Sequence, residues 1–412
     1  MTLGMTPKIL SDCIKRKIFK KIIVICTKKS QKKLETEDLK NLSRQYKVKI
    51  IYELIEDENN PDITFTKADE IIKSLLNKKI SPEDIHVNYT GGTKSMSLAL
   101  GYAGIANNIR NQIYIAGERD ENHKVKSGYE EFRFLSLPRM FLTKNFNIIK
   151  SLFNNEDFNS VLKYIEYTEH ELNIKKESDD FFNFLYEINN AYLLWDRMEY
   201  EKAAEKINNI KPDKKIIENL QNNFIEQLNK NKMILNKTAK FDFFKILDKY
   251  AAAMRYFEKG YYLIVAEMLY SLAEFIADYI LKEEYKLNKQ NIDENLAREL
   301  ISKAGKTIPD DYFNTSRSKS DGKIHLPLYH SYDLLFLLGN EIGKIFINDK
   351  EYLGAIKIRN DAIHSNKPVS KEDAERFLIV TNKFLKEFCK KYSVDKIKDL
   401  DELIKNYKYV KL

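Results

Sequence analysis

A chain of 412 residues, 43% apolar and 32% charged, has the material for sizeable cores in two or three domains. Its 25 Tyr and 23 Phe exclude a mainly disordered chain, and its 13 Gly and 8 Pro exclude collagen-like and linker compositions. The net charge of +8 admits an anionic partner, and three scattered cysteines, Cys13, Cys26 and Cys389, argue against a disulfide framework or zinc site and for a cytoplasmic protein.

Strand and helix signals alternate over residues 1–140. The apolar run 21–26 reads as a strand ending in a polar, basic loop that holds Thr27, Lys28 and Ser30. A helix is expected around 35–46, a second strand at 48–54 and a helix at 65–77. A third strand at 85–89 is broken by Thr90-Gly91-Gly92, and a helix at 93–107 follows. Strands at 112–116 and 130–137 flank a polar loop at 117–128. Strands separated by helices predict a doubly wound, parallel α/β sheet of Rossmann type. Beyond Pro138 the strand signals stop. Residues 141–235 contain no Gly and carry aromatic and apolar residues at helical spacing; residues 236–412 are helical as well. Three domains are expected, 1–140, 141–235 and 236–412. In the last, Ala251 to Leu281 is long and apolar, and within it Tyr261 to Leu281 carries Glu267, Ser271, Glu274 and Asp278 along one stripe. That stripe indicates a helix buried in a core or subunit interface, not a membrane span. A helix at 350–365 follows, then one capped by Ser370.

Two segments carry chemistry. The first is Asn88-Tyr89-Thr90-Gly91-Gly92-Thr93-Lys94, at the carboxyl end of a strand and the start of a helix. Paired glycines let backbone N–H groups approach a ligand, the helix start adds donors and positive dipole, and Lys94 adds a full charge. Together they suit a phosphate, although the spacing is neither a Walker A loop nor GxGxxG. Thr27, Lys28 and Ser30 fall on the same rim. Without a ligand, the segment is a strand-to-helix turn with Thr93 as N-cap.

The second segment is Arg359-Asn360-Asp361-Ala362-Ile363-His364. Asn360 and His364 are four apart and share a helix face, so the amide can orient the imidazole. Arg359 and His364 point about 140° apart on an ideal helix. One copy therefore does not converge on a single phosphate, whereas two copies across a two-fold axis can. The helix C-terminus favours an imidazolium. The plain alternative is a surface arginine paired with Asp361 or Glu351. The other histidines show no HxxxH or HExxH spacing, so no metal centre is expected.

With a Thr-Gly-Gly-Thr-Lys turn in an N-terminal α/β domain and Arg-Asn-x-x-x-His in a helical C-terminal domain, the chain resembles the CRISPR-associated ribonucleases of type III systems. These join a CARF sensor domain to a HEPN nuclease domain. The segment from Arg255 into the Glu267/Glu274 helix also resembles the first long helix of that HEPN group. The resemblance implies a homodimer whose sensor binds a cyclic oligoadenylate through Thr90–Lys94. Four adenosines are expected in the ring, six being the alternative; some sensors of the family also slowly cleave the ring, a further activity that Thr93 and Lys94 would support here. It also implies metal-independent cleavage of single-stranded RNA by Arg359, Asn360 and His364, leaving a 2′,3′-cyclic phosphate. The alternative is a ligand-gated CARF regulator without nuclease activity. That reading needs a helix-turn-helix, and residues 370–412 lack its Gly-containing turn.

Overall fold

In β1 (Lys21–Cys26), Ile22, Val24 and Cys26 enter one core while Ile25 enters another, as period-two alternation requires of a sheet covered on both faces. The computed structural model describes residues 1–4, 7–118, 131–135, 138–172, 180–212, 220, 223–392 and 399–412. β1 runs parallel to β2 (Lys49–Leu54), and β3 (His86–Asn88) runs parallel to β4 (Asn111–Ala116). β5 (Glu131–Leu135) runs antiparallel to β4, which corrects the expected all-parallel sheet. The amino-acid sequence between them has turn residues and no helical periodicity, and an antiparallel neighbour, unlike a parallel one, needs no crossover helix. Most of the polar loop expected at 117–128 lies outside the described residues.

Residues 1–3 also belong to the sheet, a run too short for periodicity to reveal. Thr2 bridges Ile25 in parallel, the Leu3 N–H donates to the Ile25 carbonyl at 3.1 Å, and the Thr2 N–H donates to the Asn88 carbonyl at 3.3 Å. The segment therefore sits between β1 and β3 and joins two ladders into the order β2, β1, residues 1–3, β3, β4, β5. On one side of it the chain proceeds outward through β1 and β2, on the other through β3 and β4. A topological switch thus falls between β1 and β3, the place where open α/β sheets take ligands at their carboxyl edge.

Helices α1 (Lys8–Lys15), α2 (Lys28–Leu34) and α3 (Glu37–Tyr46) supply Leu10, Ile14, Leu34 and Leu39 to the core on one face. Helices α4 (Pro61–Asn77) and α5 (Lys94–Ala106) supply Ala68, Ile72, Met96 and Leu100 to the other. α4 begins four residues earlier than periodicity indicates. Asn60 caps it by accepting from the Asp62 N–H at 3.0 Å, and Pro61 takes the first helical position, where its missing N–H costs nothing.

The chain divides into two compact units, Met1–Ser151 with Lys163–Ser178, and Leu152–Leu162 with Asp179–Leu412. The described residues of the second unit form no paired strand beyond an isolated bridge. Its apolar stretch 251–281 is not one helix. Gly260, at φ +80°, separates the Asp242–Glu258 helix from the Tyr262–Tyr285 helix. That left-handed residue ends the first helix and lets the second pack back beside it, where Lys249 Nζ donates to Ser271 Oγ at 2.8 Å. The Tyr262–Tyr285 helix buries Val265, Leu269, Leu272, Ile276 and Ile280 within its own unit. The helix is thus buried in a core, one of the two places its polar stripe allows, and its large exposed apolar residues are Leu263 and Ile264, in the first turn. Ser370 caps the Lys371–Tyr392 helix in a reciprocal box: its hydroxyl accepts from the Asp373 N–H at 3.1 Å, and its own N–H donates to the Asp373 carboxylate at 3.3 Å. Among the described residues, no helix is long and apolar enough to cross a membrane.

Candidate functional sites

The turn after β3 is locked from inside. Asn88 is buried; its amide nitrogen donates to Cys13 Sγ at 3.4 Å and its amide oxygen accepts from the Thr90 N–H at 3.0 Å. Thr90 Oγ1 accepts from the Ile115 N–H at 2.8 Å, tying the turn to β4. Thr93 caps α5, accepting from the Met96 N–H at 3.2 Å, while its hydroxyl donates to the Glu58 carbonyl. Lys94 opens the helix with an exposed side chain. The two glycines are there for different reasons. Gly92 has φ +88°, a left-handed conformation costly to other residues. Gly91 is pressed by residues 2–3: an added Cβ would meet Leu3 Cδ2 at 2.7 Å and the Thr2 carbonyl at 2.9 Å. Gly91→Ala is therefore expected to destabilise the protein by about 1–3 kcal/mol, seen as a lowered melting temperature.

Across the switch point, Thr27 caps α2 by accepting from the Ser30 N–H at 3.3 Å. The segment expected as a loop is thus a cap and the first turn of a short helix. Ser30 is buried, whereas Lys28 is exposed. Asn88, Thr90 and Ser30 spend their side chains on the fold; Gly92, Lys94 and Lys28 stay exposed. Sequence reasoning missed Gly4, against which Gly92 Cα packs, 3.8 Å from where a Cβ would stand. Its signal was a glycine after an apolar residue, with Pro7 three residues on.

The second candidate lies on the Lys350–Ser365 helix, whose start Asp349 caps through the Glu351 and Tyr352 N–H groups. Arg359 does not pair with Asp361 or Glu351, which face Lys367 and Lys383 instead. Its Nε and Nη2 both donate to Glu267 Oε2, at 3.3 and 2.8 Å, and its guanidinium carbon sits 4.0 Å from the centre of the Tyr270 ring. Asn360 departs from the expected geometry. Its amide oxygen accepts from Arg359 Nη1 at 3.2 Å, a hydrogen bond to the charged neighbour and not to His364. A cation is the stronger partner for that oxygen, so the shared face with His364 does not decide its direction. His364 is exposed in the last turn, before Asn366 ends the helix at φ +50°. Burial pushes the Tyr270 phenol up, with Glu274 adding to the effect. Among the described residues, no group of three or more His, Cys, Asp or Glu is arranged to hold a metal ion.

Family models match nearly the whole chain in sequence: the Card1 CARF domain over residues 8–137, the Csm6 6H domain over 141–235 and the Csm6 HEPN domain over 234–389. The chain belongs to the CARF–HEPN proteins of type III CRISPR systems. Among solved structures it is similar to Enterococcus italicus Csm6 bound to cyclic hexa-2′-fluoro-hexa-dAMP, with 13% identity and a TM-score of 0.55. That likeness covers 98% of this chain and 97% of the other and is one of fold. No curated protein matches the chain. The Thr-Gly-Gly-Thr-Lys turn thus lies within the CARF match, and Glu267, Tyr270, Arg359, Asn360 and His364 lie within the HEPN match. Glu267 was legible in the sequence as part of a polar stripe, but its pairing with Arg359 joins residues 92 positions apart, and no local pattern encodes that.

Proposed function

We propose that this CARF–HEPN protein is an endoribonuclease that a cyclic oligoadenylate switches on and that cuts single-stranded RNA without a metal ion. What carries the reading is one chain with two distinct anion-directed sites: a Gly-Gly-Thr-Lys turn at the switch point of a CARF sheet, and Arg359, Asn360 and His364 on one helix of a HEPN domain. The domains are taken as 1–140, 141–235 and 236–412, and the active form as a homodimer. Two observations support a dimer: Leu263 and Ile264 are exposed one turn before Glu267, and Ile363 is exposed beside His364. Such apolar residues next to a polar site suit an interface that covers it.

In this mechanism the ribose 2′-oxygen bonds to its own 3′-phosphorus as the bond to the 5′-oxygen breaks. The proton leaving the 2′-OH is taken up, and one is given to the departing 5′-oxygen. His364 serves proton transfer, Arg359 the charge on the pentacoordinate phosphorus, and Asn360 holds Arg359. The 2′-OH as internal nucleophile restricts cleavage to RNA. Lys94 and the N–H groups of the 91–94 turn take the phosphates of the activator, with Thr27 and Lys28 on the facing rim. Four adenosines is the proposed ring size, with six, the size bound by the Enterococcus italicus protein as a fluorinated analogue, as the alternative.

The test is to incubate the protein with labelled single-stranded RNA and each cyclic oligoadenylate in turn, in excess EDTA. One ring size should switch on cleavage to products ending in cyclic phosphate. Lys94→Ala should raise the activator concentration needed by about tenfold or more, since a desolvated charged contact is lost. Cleavage that required a divalent metal or left a 3′-OH would refute the mechanism. Binding of the ring without any cleavage would leave the regulator without nuclease activity as the reading.

A further inference from the structure

Arginine has five N–H donors, and Arg359 has already placed three: two on the Glu267 carboxylate and one on the Asn360 amide. Glu267 takes the Nε–Nη2 edge. One donor on each terminal nitrogen is left, the number a bidentate contact to one phosphate uses. The Tyr270 ring lies against the guanidinium, 4.0 Å from its carbon to the ring centre, and leaves it no room to swing away on that side. Both partners come from the Tyr262–Tyr285 helix, three residues apart and so on one face. The Arg359 side chain is 18% exposed, so this hold operates where water competes little, while the Glu267 side chain keeps 35% of its surface.

We propose that Glu267 and Tyr270 are positioning residues of the ribonuclease site, a cradle that presents the two remaining donors of Arg359 to the scissile phosphate. The inference rests on the ribonuclease reading of Arg359 and adds two residues that the Arg-Asn-x-x-x-His pattern does not contain. Glu267 fixes the fork by its side edge, and Tyr270 fixes its plane. Neither touches RNA. A flexible arginine at this place would lose rotamer freedom on engaging the transition state; a cradled one has lost it already.

The test uses the full-length protein with its activator and labelled RNA, measuring kcat and KM separately. Glu267→Gln should lower kcat by about ten- to hundredfold with little change in KM, because the orientation is lost and the phosphate contact is not. Tyr270→Leu should behave likewise, whereas Tyr270→Phe, which keeps the aromatic face, should stay within about twofold of the parent. A residue acting through Arg359 should add nothing once that side chain is altered, so Glu267→Gln combined with Arg359→Lys should be no slower than Arg359→Lys alone. Losses that multiply in the double variant would make Glu267 a separate structural element and overturn the cradle. A rise in cleavage with Glu267→Gln would overturn it too, by making the carboxylate a competitor of the phosphate. If Arg359→Ala itself left cleavage unchanged, the ribonuclease reading of the site would fail. If Arg359→Ala abolished cleavage while Glu267→Gln and Tyr270→Leu did not impair it, the cradle alone would fail.

Discussion

His364→Ala is expected to lower RNA cleavage by about 10²–10⁴-fold, the range for loss of a positioned proton-transfer group, without weakening the activator. His364 is exposed in the last turn of the Lys350–Ser365 helix, while Lys94 and the glycine turn belong to the other compact unit, so the two functions separate by mutation. The matching measurement is cleavage of labelled RNA beside calorimetric titration of the activator on the same preparation. Mixed dimers give a sharper result. Five residues along a helix turn Arg359 and His364 about 140° apart, so the two act on one phosphate more readily from facing copies than from one. A dimer of one parent and one His364→Ala subunit is expected to cleave well below half the parent rate. Half-normal activity beside any mutant partner, or cleavage by a monomer with activator bound, would refute the shared site.

Arg255→Ala is expected to cost about 3–5 kcal/mol of stability, the penalty for stripping one partner from a buried ion pair. Arg255 and Asp248 lie about two helical turns apart on the Asp242–Glu258 helix and are almost wholly buried, with Nη2 and Oδ1 3.8 Å apart. Trp195 Nε1 donates to the same Asp248 oxygen at 3.0 Å, Arg255 Nη1 donates to the Tyr407 carbonyl at 3.1 Å, and the guanidinium carbon lies 4.3 Å from the Tyr409 ring centre. One pair thus ties three stretches of chain together, including a C-terminal segment in which Tyr407, Tyr409, Val410 and Leu412 are buried. Burial raises the Asp248 carboxyl, and Arg255 opposes that shift more than its hydrogen bonds do, so the variant leaves a buried carboxylate without its countercharge. Urea unfolding should report the loss. Arg255→Met with Asp248→Leu should recover part of it, because a well-packed apolar pair avoids burying either charge. A loss under 1 kcal/mol in the single variant would show that the pair contributes little.

Much of the fold was legible in the sequence because the relevant forces are local and periodic. The short apolar run 21–26, ending in a polar loop, marks β1. The Gly-Gly pair stops β3, and Thr93 and Ser370 are cap residues whose hydrogen bonds reach only three positions ahead. Boundaries were less legible where a weak local choice meets packing. Gly260 splits an apolar run that reads as continuous, since an isolated glycine is tolerated in a helix until the next segment finds a partner to fold back on.

The order of an α/β half before a helical half, and the residue types at both sites, were determined by sequence alone, because composition, period and spacing are properties of neighbours along the chain. Only the tertiary structure decided that residues 1–3 complete the sheet beside Gly91, that β5 runs antiparallel, that Asn88 and Ser30 face inward, and that Arg359 rests on Glu267 and Tyr270. Each of these joins groups far apart in the chain. Such pairings exist because buried or half-buried polar groups and charges must find partners once water is excluded, and which partner is within reach is set by how the elements pack.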